Sequence, residues 1–399
     1  MPKEELHLKE LKEQRLQKRS KRSLTQPATI NWQVLGSGAR GGPRSLLLHT
    51  DHRRYLFNCG EGTQRLTSQL ALSRTLAQLE HVFVTSKSWA NLGGLPGMCL
   101  SARASGAPDI TIHGPPGCME LYEATKGFIL LFDFDVLRHR LEDGDFSDGA
   151  VTVRSVELHR SLPSTSAPVA AEWEGLAEEG RQGGITYQDS VVAYICSFSP
   201  KAGRLDVAAC VDLGVPPGPL LGKLKAGQDV TLEDGRLVRA CEVVAEAAPP
   251  SSYLVLEVPD LHYLPSLEAA EPLHAVPHLD TVFHLSPASV VRDSRYLSWI
   301  SALGPTVSHV FLNEDSMGLG LPDVTAHQHK LRTLRQEMFP VLQGAGDHRS
   351  WEDLQHLLVQ DLGDQVTSGR LVQARSGLKV NVRPRGESLV DTASCLAFR

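Results

Sequence analysis

The sequence predicts an α/β fold: a sandwich of sheets and helices that carries one projecting arm. Three observations lead to it. Short apolar runs suited to strands alternate with stretches of helical spacing between Asn31 and Leu312, a pattern of α/β and not of all-β proteins. The stretch Tyr55–Gly97 compresses a strand, a glycine turn, a helix, a second strand and a loop into one continuous unit. Residues 199–240 hold short helices and a hairpin with too few apolar residues to bury themselves well, so they are expected to stand off the body as an arm.

Taken in order, residues 1–30 form a charged lead. Lys3, Lys9, Lys12, Arg15, Lys18, Arg19, Lys21 and Arg22 stand there against Glu4, Glu5, Glu10 and Glu13. It reads either as a solvated, partly disordered segment or as a basic patch, Lys18–Arg22, for nuclear import or nucleic-acid contact. Strands follow at Asn31–Leu35, Ser45–Thr50 and Tyr55–Asn58. Cys59-Gly60-Glu61-Gly62-Thr63 is a tight turn that starts a helix against a strand end. Leu66, Leu70, Leu76 and Leu79 set one helix over Gln64–Glu80, and His81–Thr85 is too short for anything but a strand.

After Gly97 come a helix through Arg103, a strand at Asp109–His113, and a helix launched by Gly114-Pro115-Pro116-Gly117 through Lys126. Val151–Leu158 reads as a strand pair ending at His159. Residues 161–189 are small and polar, a flexible insertion. Beyond the arm, Ser252–Val258, Thr281–Leu285 and His309–Leu312 are strands. Val290–Leu303 and Ala326–Met338 are helices, and 341–399 is a C-terminal extension of weaker signal. One domain thus spans 31–340.

The totals narrow the class. Over 399 residues, 41% are hydrophobic and 22% charged, enough apolar mass for a sizeable core. The net charge of −6, with the basic residues crowded at the start, does not by itself announce a nucleic-acid binder. Seven cysteines without a C-x-x-C pair read as reduced thiols and not as a disulfide framework or zinc knuckle. No apolar run is long enough to span a membrane, and the charged opening does not read as a secretory signal. Gly36-Ser37-Gly38-Ala39-Arg40-Gly41-Gly42 lacks the lysine and serine of a phosphate loop. Cys59 reads as a buried thiol, and there is no G-x-S-x-G elbow for a serine hydrolase.

The stretch YLFNCGEGTQRLTSQLALSRTLAQLEHVFVTSKSWANLGGLPG, residues 55–97, resembles the metallo-β-lactamase fold and, within it, the tRNase Z branch. The resemblance implies an αβ/βα sandwich whose metal loop, in an active member, reads His-x-His-x-Asp-His. Those positions here are Ser86, Ser88, Ala90 and Asn91. Zinc needs imidazole, thiolate or carboxylate, which none of the four supplies. The remaining candidates for the family's ligands are His159, Asp260 and His284. They read equally as hydrogen-bonded structural residues, and two zinc ions could not be held in the family's geometry from these alone.

A second resemblance covers GRLDVAACVDLGVPPGPLLGKLKAGQDVTLEDGR, which is similar to the exosite arm by which tRNase Z enzymes grip the elbow of precursor tRNA. It implies phosphate contacts from Lys201, Arg204, Lys223 and Lys225, with Gly214, Pro216, Gly218 and Pro219 shaping the tip. Read without the resemblance, these are ordinary solvated lysines on a surface hairpin.

Together the two resemblances identify the amino half of a long-form tRNase Z, in which the carboxyl half keeps the metal motif. The implied activity is endonucleolytic removal of the 3′ trailer from precursor tRNA by zinc-activated water. This chain is expected to dock tRNA, to be inactive by itself, to bind no zinc tightly, and to pair with a metal-complete carboxyl half in cis or in trans. Nucleus and mitochondrion are the compartments implied, with no membrane partner. The chain reads as a truncated product, a splice form or an incomplete gene model whose catalytic half is missing. Two rivals stay open: a nuclease using His159, Asp260 and an altered metal, and a scaffold or binding protein with a degenerate fold and no role in tRNA cleavage.

Overall fold

A computed structural model describes residues 26–125, 127, 129, 131, 133–161, 190–201, 205–232, 235–244, 249–316, 322–340, 351–357, 370–384, 390–393 and 395. The basic run Lys18–Arg22, nearly all of the insertion at 161–189, and Arg204 lie outside the described residues.

Among the described residues, seventeen strands alternate with short helices. The first six are β1 (Ile30–Ser37), β2 (Arg44–Thr50), β3 (Arg54–Phe57), β4 (Leu79–Phe83), β5 (Asp109–His113) and β6 (Asp135–His139). Then come β7 (Phe146–Ser147), β8 (Thr152–His159), β9 (Ser190–Phe198), β10 (Val230–Thr231) and β11 (Leu237–Val238). The last are β12 (Ser251–Leu256), β13 (Leu279–His284), β14 (Ser308–Phe311), β15 (Leu371–Gln373), β16 (Lys379–Arg383) and β17 (Val390–Asp391). One sheet runs β17-β16-β1-β2-β3-β4-β5-β6 and the other β15-β14-β13-β12-β9-β8-β7, while β10 and β11 pair only with each other.

Alternation along the strands makes the layers. Trp32 and Val34 of β1, Phe57 of β3, Phe83 of β4, Tyr194 of β9, Tyr253 of β12 and Phe283 of β13 point between the sheets. Trp32 sits at the centre, its ring centroid 5.0 Å from those of Phe57 and Phe283. The opposite faces are closed by helices. Leu35, Leu56, Val82 and Val84 pack under Leu66, Leu95 and Met98. Leu254, Leu256 and Val282 pack under Leu264, Leu267, Tyr296 and Ile300. The result is a four-layer αβ/βα sandwich of the metallo-β-lactamase kind. No helix among the described residues is long and apolar enough to cross a membrane.

Several elements differ from the sequence expectation for physical reasons. The helix expected over Gln64–Glu80 is two pieces, an α-helix Thr63–Gln69 and a 3-10 helix Ser73–Gln78. Ala71 takes a left-handed φ of 57° between them, because the chain must reverse there to start β4 parallel to β3. Val290–Leu303 divides at Asp293, whose carboxylate accepts from the Arg295 N–H and caps a new helix, Ser294–Ala302. The strand pair expected over Val151–Leu158 is a single strand, β8, over Thr152–His159. From the stretch set apart as a C-terminal extension, β16 pairs with β1 and β15 pairs with β14, and Leu378 and Val380 lie in the central core.

The arm leaves β9 after Phe198 and returns at Ser251, which pairs with Phe198. It does bury itself, against expectation. Cys210, Val215, Leu224, Val230, Leu232, Val238, Ala240 and Val243 form a separate apolar cluster.

Candidate functional site

The C-terminal ends of β3, β4, β12 and β13 meet at one end of the sandwich, and the loops that follow them build the site. β3 runs into Asn58, whose side chain accepts from the Thr85 N–H at 2.9 Å and donates to Thr85 Oγ1 at 2.8 Å. The turn at Gly60 lies flat against the loop after β4: the Cys59 N–H donates to Asn91 O at 2.7 Å and the Gly94 N–H to Cys59 O at 2.8 Å. A Cβ on Gly60 would lie 2.1 Å from the Ala90 carbonyl oxygen, and one on Gly94 would lie 2.1 Å from the Gly60 oxygen. Both glycines are therefore required by close backbone approach.

Inside this frame two of the four loop positions, Ser86 and Asn91, converge on a residue that the sequence did not single out, Glu257. Its carboxylate, 4% exposed, follows β12 directly. Glu257 Oε2 accepts from Asn91 Nδ2 at 2.7 Å, from Ser86 Oγ at 3.2 Å and from Thr85 Oγ1. Asn91 is fully buried and its Nδ2 also lies 2.7 Å from Ser86 Oγ. Arg44 completes the set, with Nη2 3.8 Å from Glu257 Oε1 and Nη1 donating to Leu285 O. Ser88 Oγ lies 3.5 Å from Ser86 Oγ at the margin, while Ala90 and Trp89, the latter 58% exposed, face solvent.

This donor set does not suit zinc. It offers one carboxylate, hydroxyls and a carboxamide, with a guanidinium beside the carboxylate, and no imidazole or thiolate. Among the described residues no group of three or more His, Cys, Asp or Glu side chains is placed to hold a metal ion. What the arrangement can do is neutralise a buried carboxylate and hydrogen-bond its Oε2, which fixes the path of the loop.

The other ligand candidates sit elsewhere. Asp260 caps the 3-10 helix Leu261–Tyr263 and pairs with Arg160 at 3.4 Å, both of them about two-fifths exposed. His159 donates its backbone N–H to Ser266 Oγ. His284 is fully buried on the helical side of the second sheet, with Nδ1 2.8 Å from Tyr296 Oη and Nε2 3.0 Å from His309 Nδ1. Burial, with His309 alongside, holds the His284 imidazole well below its ordinary pKa, and burial lowers His309 to about 3. None of the three candidates shares a hydrogen bond with Ser86, Asn91 or Glu257 among the described residues. Glu257 had one signal in the sequence: a carboxylate that directly follows the apolar run Tyr253–Leu256 must be paired if buried.

The arm lies at the other end of β12, about 20 Å away along the strand. Asp206 accepts from the Ala208 and Ala209 N–H groups and caps the helix Val207–Asp212. Gly214, at φ 77°, ends that helix, and Gly218, at φ 147°, opens the helix Pro219–Lys225 with Pro219 in its first turn. Leu224 is buried in the arm's core, which turns Lys223 and Lys225 on either side of it outward. Pro216 is exposed at the tip. Lys201, at the root, is partly buried; burial, with Arg383 and Lys225 near, lowers its pKa.

A family model described as tRNase Z endonuclease matches residues 40–94, from the Gly36–Arg44 loop through the site loop. The mitochondrial ribonuclease Z of Drosophila melanogaster is 36% identical over 338 residues, covering 81% of this chain and 40% of that protein. The zinc phosphodiesterase ELAC protein 2 of Homo sapiens is 29% identical over 398 residues, covering 90% of this chain and 46% of that protein. Among solved structures, a long form RNase Z from yeast superposes with a TM-score of 0.61 at 14% identity, covering 93% of this chain and 50% of that chain. The chain spans about half the length of the relatives it matches. In sequence the chain is similar to long-form tRNase Z proteins, and it shares their metallo-β-lactamase fold.

Proposed function

We propose that this chain docks precursor tRNA through its arm and acts as the non-catalytic amino half of a tRNase Z. Removal of the 3′ trailer would then fall to a metal-bearing carboxyl half, joined in cis or recruited in trans. The observation that carries the proposal is the arm: a separately cored projection that holds Lys223 and Lys225 outward. A folded RNA elbow is recognised by shape and phosphate contact and not by base sequence. The Glu257 network supports the division of labour, since Ser86 and Asn91 of the site loop are engaged with a protein carboxylate. By relation to a mitochondrial ribonuclease Z we assign the chain to mitochondria, and the Lys18–Arg22 run supports a nuclear pool as well.

The test is a salt titration of binding, with full-length precursor tRNA and an acceptor-stem minihelix that has no elbow. Lys223→Ala with Lys225→Ala weakens binding to the full tRNA and flattens its log–log salt slope by about one unit per lost phosphate contact. The minihelix is affected little. Equal loss for both RNAs would show a general basic patch and defeat the elbow-docking assignment.

A further inference from the structure

The arm's apolar cluster is built wholly from residues 205–244 and shares no member with the clusters of the sandwich. A part with its own small core, joined to a body by two connections, swings unless something fixes its angle. The fixing contacts described here are polar, and they converge on the four residues that precede β1. The Asp51 carboxylate accepts from the Ala28 N–H at 2.5 Å and from the Thr29 N–H at 3.1 Å. Lys201 Nζ donates to Gln26 O at 3.2 Å. Arg383 donates from Nη1 to Pro27 O at 3.4 Å and from Nη2 to Ser199 O at 2.8 Å.

Arg383 is an unusual side chain. It is 7% exposed, its Nε meets no partner, and burial holds its pKa below the ordinary arginine value. Its acceptors here are neutral carbonyls, so its desolvation is offset by hydrogen bonds and not by a counter-charge. It ends β16 opposite Ile30 of β1, while Ser199 is the first residue after β9 on the way into the arm. One planar fork therefore touches the first sheet's neighbour strap and the arm's root together. A lysine ammonium, a single point of charge, does not reproduce that two-pronged geometry.

We propose that Arg383 is a positioning residue for the arm: with Lys201 it pins the arm's root to the strap Gln26–Thr29 and sets the angle at which Lys223 and Lys225 meet a folded RNA. The RNA part rests on the function proposed above; the pin does not.

Spin labels measure the angle directly in the full chain. Cys241 is exposed on the arm, five of the other cysteines are buried, and Cys395→Ser removes the partly exposed one. A second label goes on Glu157→Cys, an exposed position of β8. The wild type gives one narrow distance distribution. Arg383→Ala and Arg383→Lys each broaden it by at least about twofold, and Lys201→Met broadens it less. If Arg383→Ala does not fold, Arg383→Lys decides. Wild-type distances in the folded arginine variants overturn the pin, whatever the arm binds. For the RNA part, the same variants lose preference for full tRNA over the minihelix while keeping affinity for the minihelix. Broadened distances with an unchanged preference overturn the claim that the angle serves RNA.

Discussion

The two ends of β12 have been treated differently. At its C-terminal end, the loop after β4 turns inward, with Ser86, Asn91, Thr85 and Arg44 spent on one buried carboxylate, Glu257. At its N-terminal end, the arm turns its lysines outward and keeps its apolar residues for itself. Polar groups that satisfy one another are structural. Charged groups left facing solvent on a shaped support are available to a partner. On the function proposed above, the contrast assigns binding to the arm and a structural role to the loop.

Acid gives the largest expected effect that sharpens this contrast. Burial lowers the pKa of His49 to about 3, of His113 to about 2 and of His309 to about 3, and that of His284 falls well below its ordinary value. Each is neutral when folded and takes a proton when unfolded. The stability they represent is present above about pH 6.5 and is lost as pH falls through that value towards the folded pKa. Each contributes up to about 1.4 kcal/mol per pH unit in that window. All four lie in the sandwich, and residues 201–250 contain no histidine. The unfolding free energy from denaturant titration should fall between pH 7 and 5.5 by several kcal/mol in total, on the order of 5. In hydrogen exchange the sandwich loses protection while local opening of the arm keeps its pH 7 free energy. A stability flat across that range would contradict the buried, neutral histidines.

Glu257→Ala comes next. It leaves a guanidinium and three donors without their acceptor, and should cost about 3 kcal/mol of stability. Glu257→Gln keeps the shape and most of the hydrogen bonding and should cost less. In both, tRNA affinity of the folded protein stays at the wild-type level, because the arm is remote from the change. If Glu257→Ala were neutral in urea unfolding, the network would not be what holds the loop.

The smallest effect is in the arm itself. Asp206→Ala removes the cap of Val207–Asp212 and should cost about 1 kcal/mol. That loss should appear as faster amide exchange within 206–244 and leave the global transition nearly unmoved. A matching fall in global stability would mean that arm and sandwich unfold as one, against the separate cluster seen here.

Much of this was legible locally. Asp109–His113 is a strand over the residues that its apolar alternation marks, and the short helices and hairpin expected within 199–240 are present as Val207–Asp212, Pro219–Lys225 and the pair Val230–Thr231 with Leu237–Val238. The arm's core was not legible, because Cys210, Leu224, Val238 and Val243 are scattered in sequence and meet only on folding. For the same reason β15 and β16 were missed: strands this short are specified by the neighbours they pair with, β14 and β1, and not by their own composition. The family resemblance points to Asp260, whereas the carboxylate that the fold buries is Glu257, the first residue after β12.

The contact between the Gly60 turn and the loop at Ala90–Gly94 is made by main-chain atoms on both sides. The loop's course is therefore indifferent to the side chains it presents at 88 and 90, and selection for shape falls on other residues than selection for chemistry. A lineage with such a loop can shed a reaction by substitution without risking its architecture. Positions 88 and 90 are thereby left open to new side chains, at little hazard to the rest of the molecule.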